Sequence, residues 1–164
     1  MDIEHRAMKY KTKYNRLKND YSNHMESHHS RSKKSKGRAL TKNKIEKFQN
    51  ADYVENVSEP WYSFISMGLK VVEGRKDKGK FHNMKVGELI EWQNYDFAPR
   101  HVLTRIVYKK RYTTFKDYLE LEGMDRCLPG MTTLNHGLSV YYKYYTPEDE
   151  ATYGVMAITL ELIT

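Results

Sequence analysis

Positive charge and apolar side chains are distributed along this chain in opposite senses, and that division limits what each part can fold into. Residues 1–50 carry 14 Lys and Arg against 5 Asp and Glu, whereas residues 51–164 carry 14 against 16. Only 13 of the first 50 residues are apolar, and both tryptophans and all four prolines lie beyond them. A segment of low hydrophobicity and high net charge buries too little apolar surface to offset the entropy of ordering it. The expectation is a basic arm over residues 1–52, partly helical or disordered, followed by one compact domain over 53–164. The net charge of +7 belongs to the arm, and the domain is slightly acidic.

Several classes are excluded early. A single cysteine, Cys127, rules out an internal disulfide framework. No apolar run approaches the ~20 residues of a membrane span. The opening residues MDIEHRAMKYKTKY lack the apolar stretch of a secretory signal. An intracellular location is expected, with cytoplasm and nucleus both open. Phosphate-binding Gly-rich loops, paired-cysteine zinc patterns and Gly-x-Ser-x-Gly turns are absent from the sequence.

Within the arm, Ile3, Ala7, Tyr10, Tyr14, Leu17 and Tyr21 recur at spacings of four and three, with Lys9, Lys11, Lys13, Arg16 and Lys18 between them. The pattern predicts a basic amphipathic helix, suited to nucleic acid, an anionic membrane surface or a helical protein partner. His24, His28 and His29 have no carboxylate or cysteine at ligand spacing, so no metal site is expected there or elsewhere. Arg31, Lys33, Lys34, Lys36 and Arg38 form a run with five positive charges and no negative one within residues 31–38. It has the composition of a nuclear-import or phosphate-contacting segment, and its affinity for a phosphate backbone is salt-sensitive and sequence-blind.

The domain reads as alternating short elements. Ser58 and Pro60 predict a helix start, with Trp61, Phe64 and Ile65 inward and Gly68 as its stop. Strands are expected at 71–75, 89–92, 102–112 and 155–163. Thr114 and Asp117 are spaced to cap a helix carrying Phe115, Tyr118 and Leu119 on its inner face. Leu134, Leu138, Tyr141, Tyr142 and Tyr145 repeat at helical spacing, and Thr146-Pro147-Glu148-Asp149 opens a last short helix. Strands and helices without βαβ regularity imply a small α+β or barrel-like fold.

The densest polar cluster is Gly68-Leu69-Lys70-Val71-Val72-Glu73-Gly74-Arg75. Strand alternation puts Glu73 and Arg75 on one face and, if regular, Lys70 on the other. Gly74 between them leaves main chain open to a ligand. Arg75 offers a flat multi-donor grip for a phosphate or base edge, and Glu73 an acceptor for an amino group. The alternative is a structural Glu–Arg pair on a sheet edge. Lys78 and Lys80 extend the positive charge. Tyr141, Tyr142, Tyr144 and Tyr145 either stack on bases or pack a helix, and Lys109-Lys110-Arg111 is either a phosphate track or a solvated knot.

Residues from about Val57 onward resemble the ASCH domain, a member of the PUA-like superfamily. The resemblance rests on Glu59-Pro60-Trp61-Tyr62, on Gly68-x-Lys70-x-x-Glu73-Gly74-Arg75 and on Lys85-Val86-Gly87-Glu88-Leu89-Ile90, in that order. Leu128-Pro129-Gly130, the Tyr141–Pro147 stretch and Tyr153-Gly154-Val155 extend it. It implies a small β-barrel flanked by helices, with a cleft for RNA or a nucleotide-like ligand. Lys70, Glu73 and Arg75 match the polar lining of that cleft, and Trp61 stands as its aromatic wall or as core. One branch of the family resembles an amidohydrolase acting on acylated cytidine through a lysine, a threonine nucleophile and a glutamate. Lys70 matches the lysine and Glu122 is the candidate glutamate. The threonine position is Glu73 here, which closes the covalent route and leaves only a carboxylate-activated water.

Three readings follow. The first is an RNA- or nucleic-acid-binding protein, with Trp61, Lys70, Glu73, Arg75, Lys78 and Lys80 at a base or nucleotide site and the arm adding electrostatic affinity. The second is a hydrolase of modified nucleosides using Lys70, Glu73 and Glu122. The third is an adaptor that docks a helical partner through the arm. None requires a cofactor.

Overall fold

The computed structural model describes residues 51–96 and 98–163. The arm helix, the histidine group and the run from Arg31 to Arg38 lie outside the described residues.

Five strands form one mixed sheet in the order β1-β3-β4-β5-β2, with β1 (Tyr53–Asn56), β2 (Val72–Lys76), β3 (Leu89–Asn94), β4 (Arg100–Tyr112) and β5 (Val155–Leu162). β1 runs parallel to β3, and the other pairs are antiparallel. Strand β5 lies between β4 and β2 and is apolar on both faces, which marks a strand covered on both sides. Met156, Ile158 and Leu160 join Ile90, Trp92 and Ile106 in one core with Tyr62 and Ile65 of α1 (Trp61–Ser66). Val155 and Ala157 face a second core with Val72 and with Phe115, Tyr118 and Leu119 of α3 (Phe115–Glu122). The sheet curls around the first core as a half-barrel, and helices cover its outside. The barrel implied by the resemblance is therefore open, because β1 and β2 are the two outer strands and do not pair with each other.

The remaining helices are α2 (Lys80–Asn83), α4 (Met124–Cys127), α5 (Leu134–Tyr141) and α6 (Pro147–Tyr153). Two caps match the sequence. Thr114 Oγ1 accepts from Asp117 N at 3.0 Å, and Thr146 with Asp149 forms a reciprocal capping box ahead of Pro147. The first helix differs from expectation. Ser58 provides no side-chain cap; Glu59 accepts from Ser63 N at 3.3 Å and from Ser63 Oγ at 2.9 Å instead. Arg100 also contacts Glu59 and lies 4.7 Å from the Tyr62 ring centre, which ties α1 to the start of β4.

Three short elements are not foreseen by patterning: β1, α2 and α4. Each has four residues, too few for a period to show. Tertiary bonds hold them. Asp52 brackets Leu89 by donating to its carbonyl at 3.0 Å and accepting from its N–H at 2.8 Å. Lys109 on β4 donates to the carbonyls of Phe81, His82 and Met84 at the end of α2.

Candidate nucleotide-binding cleft

The cleft is built around a strand that begins one turn after a helix. The N–H groups of Leu69 and Lys70 both reach Phe64 O, at 2.8 and 3.0 Å, so the chain swings sharply off α1. Lys70 consequently precedes the strand and does not obey its alternation. The expected opposition of Lys70 and Glu73 fails for that reason, and Lys70 Nζ lies 2.9 Å from Glu73 Oε2. Glu73 and Arg75 do share a face, with Arg75 Nε 2.7 Å from Glu73 Oε1. This second contact is a charge contact without hydrogen-bond alignment at Nε.

Lys70 is 3% exposed, and its ammonium also donates to Val72 O at 3.0 Å and to Cys127 O at 2.5 Å. An ammonium has three protons, and these three acceptors match them one for one. Lys70 thus holds Glu73 and α4 in place and has no proton left for a ligand. Glu73 keeps acceptor capacity, since each carboxylate oxygen has one partner and two lone pairs. Arg75 also interacts with the Tyr145 hydroxyl and lies 5.1 Å from the Phe81 ring centre, so its guanidinium joins the strand to the aromatic wall.

Charge balance explains why these groups stay ionised inside the fold. Burial opposes ionisation of Glu73, but Lys70 and Arg75 together outweigh it and set its pKa below the ordinary glutamate value. Burial likewise works against charged Arg75, and Glu73 beside it reverses the sign, so the guanidinium is more firmly protonated than usual. Cys127 is different. Burial pushes its thiol up to about 11, which makes it an inert core thiol at neutral pH.

Aromatic rings complete the cleft. Trp61, Tyr141, Tyr144 and Tyr145 line a space of about 170 Å³. Tyr141 and Tyr145 stack on Phe115 with ring centres 4.4 and 5.2 Å apart. They are fixed walls. Tyr144 is 68% exposed and stands at the rim. Trp61 serves both readings made from sequence, lining the cleft while packing against both cores. Asn56, Val57 and Ser58 at the end of β1 and Val140 on α5 also line it. No local signal in the sequence marked these four as cleft residues, because they reach the cleft only through tertiary packing.

Gly74 has a different role on each side. A side chain there would meet Tyr118 Cε1 at 2.6 Å, so its missing Cβ accommodates the Tyr118 ring. Its main chain remains on the cleft.

Other candidate residues lie elsewhere. Lys78 is exposed, donates to Tyr153 OH at 2.9 Å and does not line the cleft. Lys80 pairs with buried Glu55 of β1. Glu122 accepts from Tyr112 OH at 2.7 Å and sits near Arg126, away from the cleft lining. Of the basic knot, Lys109 is engaged by α2, and Arg111 Nε meets buried Asp77 at 3.0 Å. Lys110 packs over the Tyr112 ring at 4.9 Å. The described residues contain no group of three or more His, Cys, Asp or Glu placed to hold a metal ion.

The family model for the ASCH domain matches residues 56–164. The chain belongs to the ASCH domain family. Two solved structures resemble this ASCH domain. One is the crystal structure of hypothetical protein PH0355, with 31% identity and a TM-score of 0.62 over 68% of this chain and 98% of that one. The other is the solution NMR structure of protein PF0455 from Pyrococcus furiosus, with 29% identity and a TM-score of 0.57 over 68% and 96% of the two chains. No curated protein matches the chain. No helix among the described residues is long and apolar enough to cross a membrane.

Proposed function

We propose that this ASCH protein binds RNA or another nucleic acid, taking an unpaired base or modified nucleotide into the cleft. The observation that carries the reading is the Glu73–Arg75 pair, held by Lys70 at the floor of a cleft walled by aromatic rings. A carboxylate acceptor beside guanidinium donors reads a polar ring edge, and flat walls accept its faces. The space is below the ~300 Å³ typical of drug-sized ligands and suits one ring system. Residues Arg31, Lys33, Lys34, Lys36 and Arg38 supply sequence-blind attraction to the phosphates.

Hydrolysis of an acylated cytidine is the weaker reading. Glu73 replaces the threonine, Lys70 has its protons occupied, and Glu122 is bound to Tyr112 outside the cleft. Docking of a helical partner by the arm draws no support from the described residues.

Titration of the full chain with a panel of short single-stranded oligonucleotides tests the binding reading. Arg75→Ala is expected to reduce discrimination among ligands about tenfold or more, in line with the ~1–3 kcal/mol of a good base contact. An unchanged preference in a folded Arg75→Ala protein removes Arg75 from the site.

A further inference from the structure

The free edge of β2 carries a second set of polar groups. Two main-chain bonds fix the phase of the β2–β5 ladder. Leu160 N donates to Val71 O at 2.8 Å, and Asp77 N donates to Gly154 O at 3.1 Å. With Val72 opposite Thr159 and Gly74 opposite Ala157, residues 71, 73, 75 and 77 face β5. Residues 72, 74 and 76 therefore turn N–H and C=O away from the sheet.

Two of the outward carbonyls are occupied. Val72 O accepts from Lys70 Nζ and from Tyr118 OH, at 3.0 and 3.3 Å, and Lys76 O accepts from Lys78 N at 2.8 Å. The N–H and C=O of Gly74 have no partner among the described residues, although Gly74 is buried and lines the cleft. Buried main-chain groups are almost always paired, with protein, water or ligand. Gly74 presents such a pair at a ring-walled site.

We propose that the Gly74 N–H and C=O are a main-chain recognition pair for the edge of a planar ring that carries a hydrogen-bond donor beside an acceptor. In an extended residue the two groups point the same way, so they meet such an edge as one residue of a strand meets its opposite number. The amide edge of uracil and the amidine edge of adenine both qualify. The ligand must be unpaired, because base pairing occupies that edge. A peptide strand is disfavoured: β-addition needs a row of free groups, and here Val72 O and Lys76 O are taken on either side of Gly74.

This inference rests on the reading of the cleft as a nucleobase site, and the test separates the two. The full chain, labelled with 15N, is titrated with uridine, 3-methyluridine, adenosine and N6,N6-dimethyladenosine. The expected result is binding of the two parent nucleosides, a downfield shift of the Gly74 amide proton, and about a tenfold or greater weakening by methylation. Binding that ignores the methyl groups, or that leaves the Gly74 amide unmoved, overturns the main-chain pair and leaves the nucleobase site standing. A Gly74 shift produced only by an extended peptide overturns the planar-ring ligand. If neither the nucleosides nor single-stranded oligonucleotides perturb cleft resonances, the nucleobase site and this inference both fall.

Discussion

Glu73 is the residue on which the cleft's electrostatics turn. It separates two cations that would otherwise repel inside the fold, and it is itself stabilised by both. Its pKa is lower in the folded protein than the ordinary value of 4.5. Its ionisation thus stabilises the fold fully above the unfolded-state pKa, and that contribution disappears as pH falls through the depressed folded value. Glu73→Gln removes the carboxylate and leaves Lys70 and Arg75 uncompensated. It is expected to cost about 3–5 kcal/mol at neutral pH, as for other broken buried pairs. Urea titrations across the acid range should also show a shallower loss of stability in the variant than in the parent below about pH 4.5. Equal acid slopes would mean that Glu73 is not the group titrating.

Legibility at this scale divides along strand register. Glu73 and Arg75 were readable as neighbours because two residues apart on a strand means one face. The approach of Lys70 was not, since it depends on the double bond to Phe64 O that bends the chain before the strand begins.

Among elements, the outer helices are joined by a carboxylate that sequence patterning did not single out. Glu150 on α6 accepts from Phe115 N at 2.5 Å, at the start of α3, and from Tyr142 OH at 3.0 Å, just beyond α5. One side chain thus links three helices behind the aromatic wall. Glu150→Ala is expected to cost about 1–2 kcal/mol, since it leaves the part-buried first-turn N–H of Phe115 without its acceptor. Thermal or urea unfolding checks it, and Glu150→Gln should recover part of the loss. At the turn into β5, Gly154 has φ of +71°, and a side chain would lie 2.7 Å from Tyr112 O. Gly154→Ala meets both backbone strain and a main-chain clash, and a loss of at least ~1–3 kcal/mol is expected.

The longer elements announce themselves through repeated pattern. β4 and β5 have enough residues for their composition to show, and α3 and α6 carry caps with side chains at diagnostic spacing. The aromatic repeat ran on to Tyr145, whereas α5 stops at Tyr141. Tyr145 keeps its packing role through its stack on Phe115 rather than through helical register.

For the whole molecule, the proposed function assigns charge and recognition to different segments, and salt is the variable that separates them. Replacing Arg31, Lys33, Lys34, Lys36 and Arg38 by Gln in the full chain is expected to flatten the dependence of log K on log salt. Each lost contact to a single strand removes about 0.7 from the slope. Preference among ligands should persist, because the cleft is unchanged. An unaltered salt slope assigns the electrostatic attraction to other residues. Composition distinguishes a basic segment from a near-neutral one. It could not locate the cleft, whose walls come from residues as far apart in sequence as Asn56 and Tyr145.

The cleft straddles the gap between the two outer strands, with Asn56 of β1 on one bank and Glu73, Gly74 and Arg75 of β2 on the other. An occupant touching both banks acts as a clasp, holding together parts of the sheet that no ladder joins. By mass action, a ligand at 100 times its Kd adds about 2.7 kcal/mol to the folded state, which raises the melting temperature by several degrees. The heat resistance of this protein is therefore a direct gauge of occupancy. A library of nucleosides and modified nucleotides can be ranked by melting temperature alone, before any reaction or partner is known.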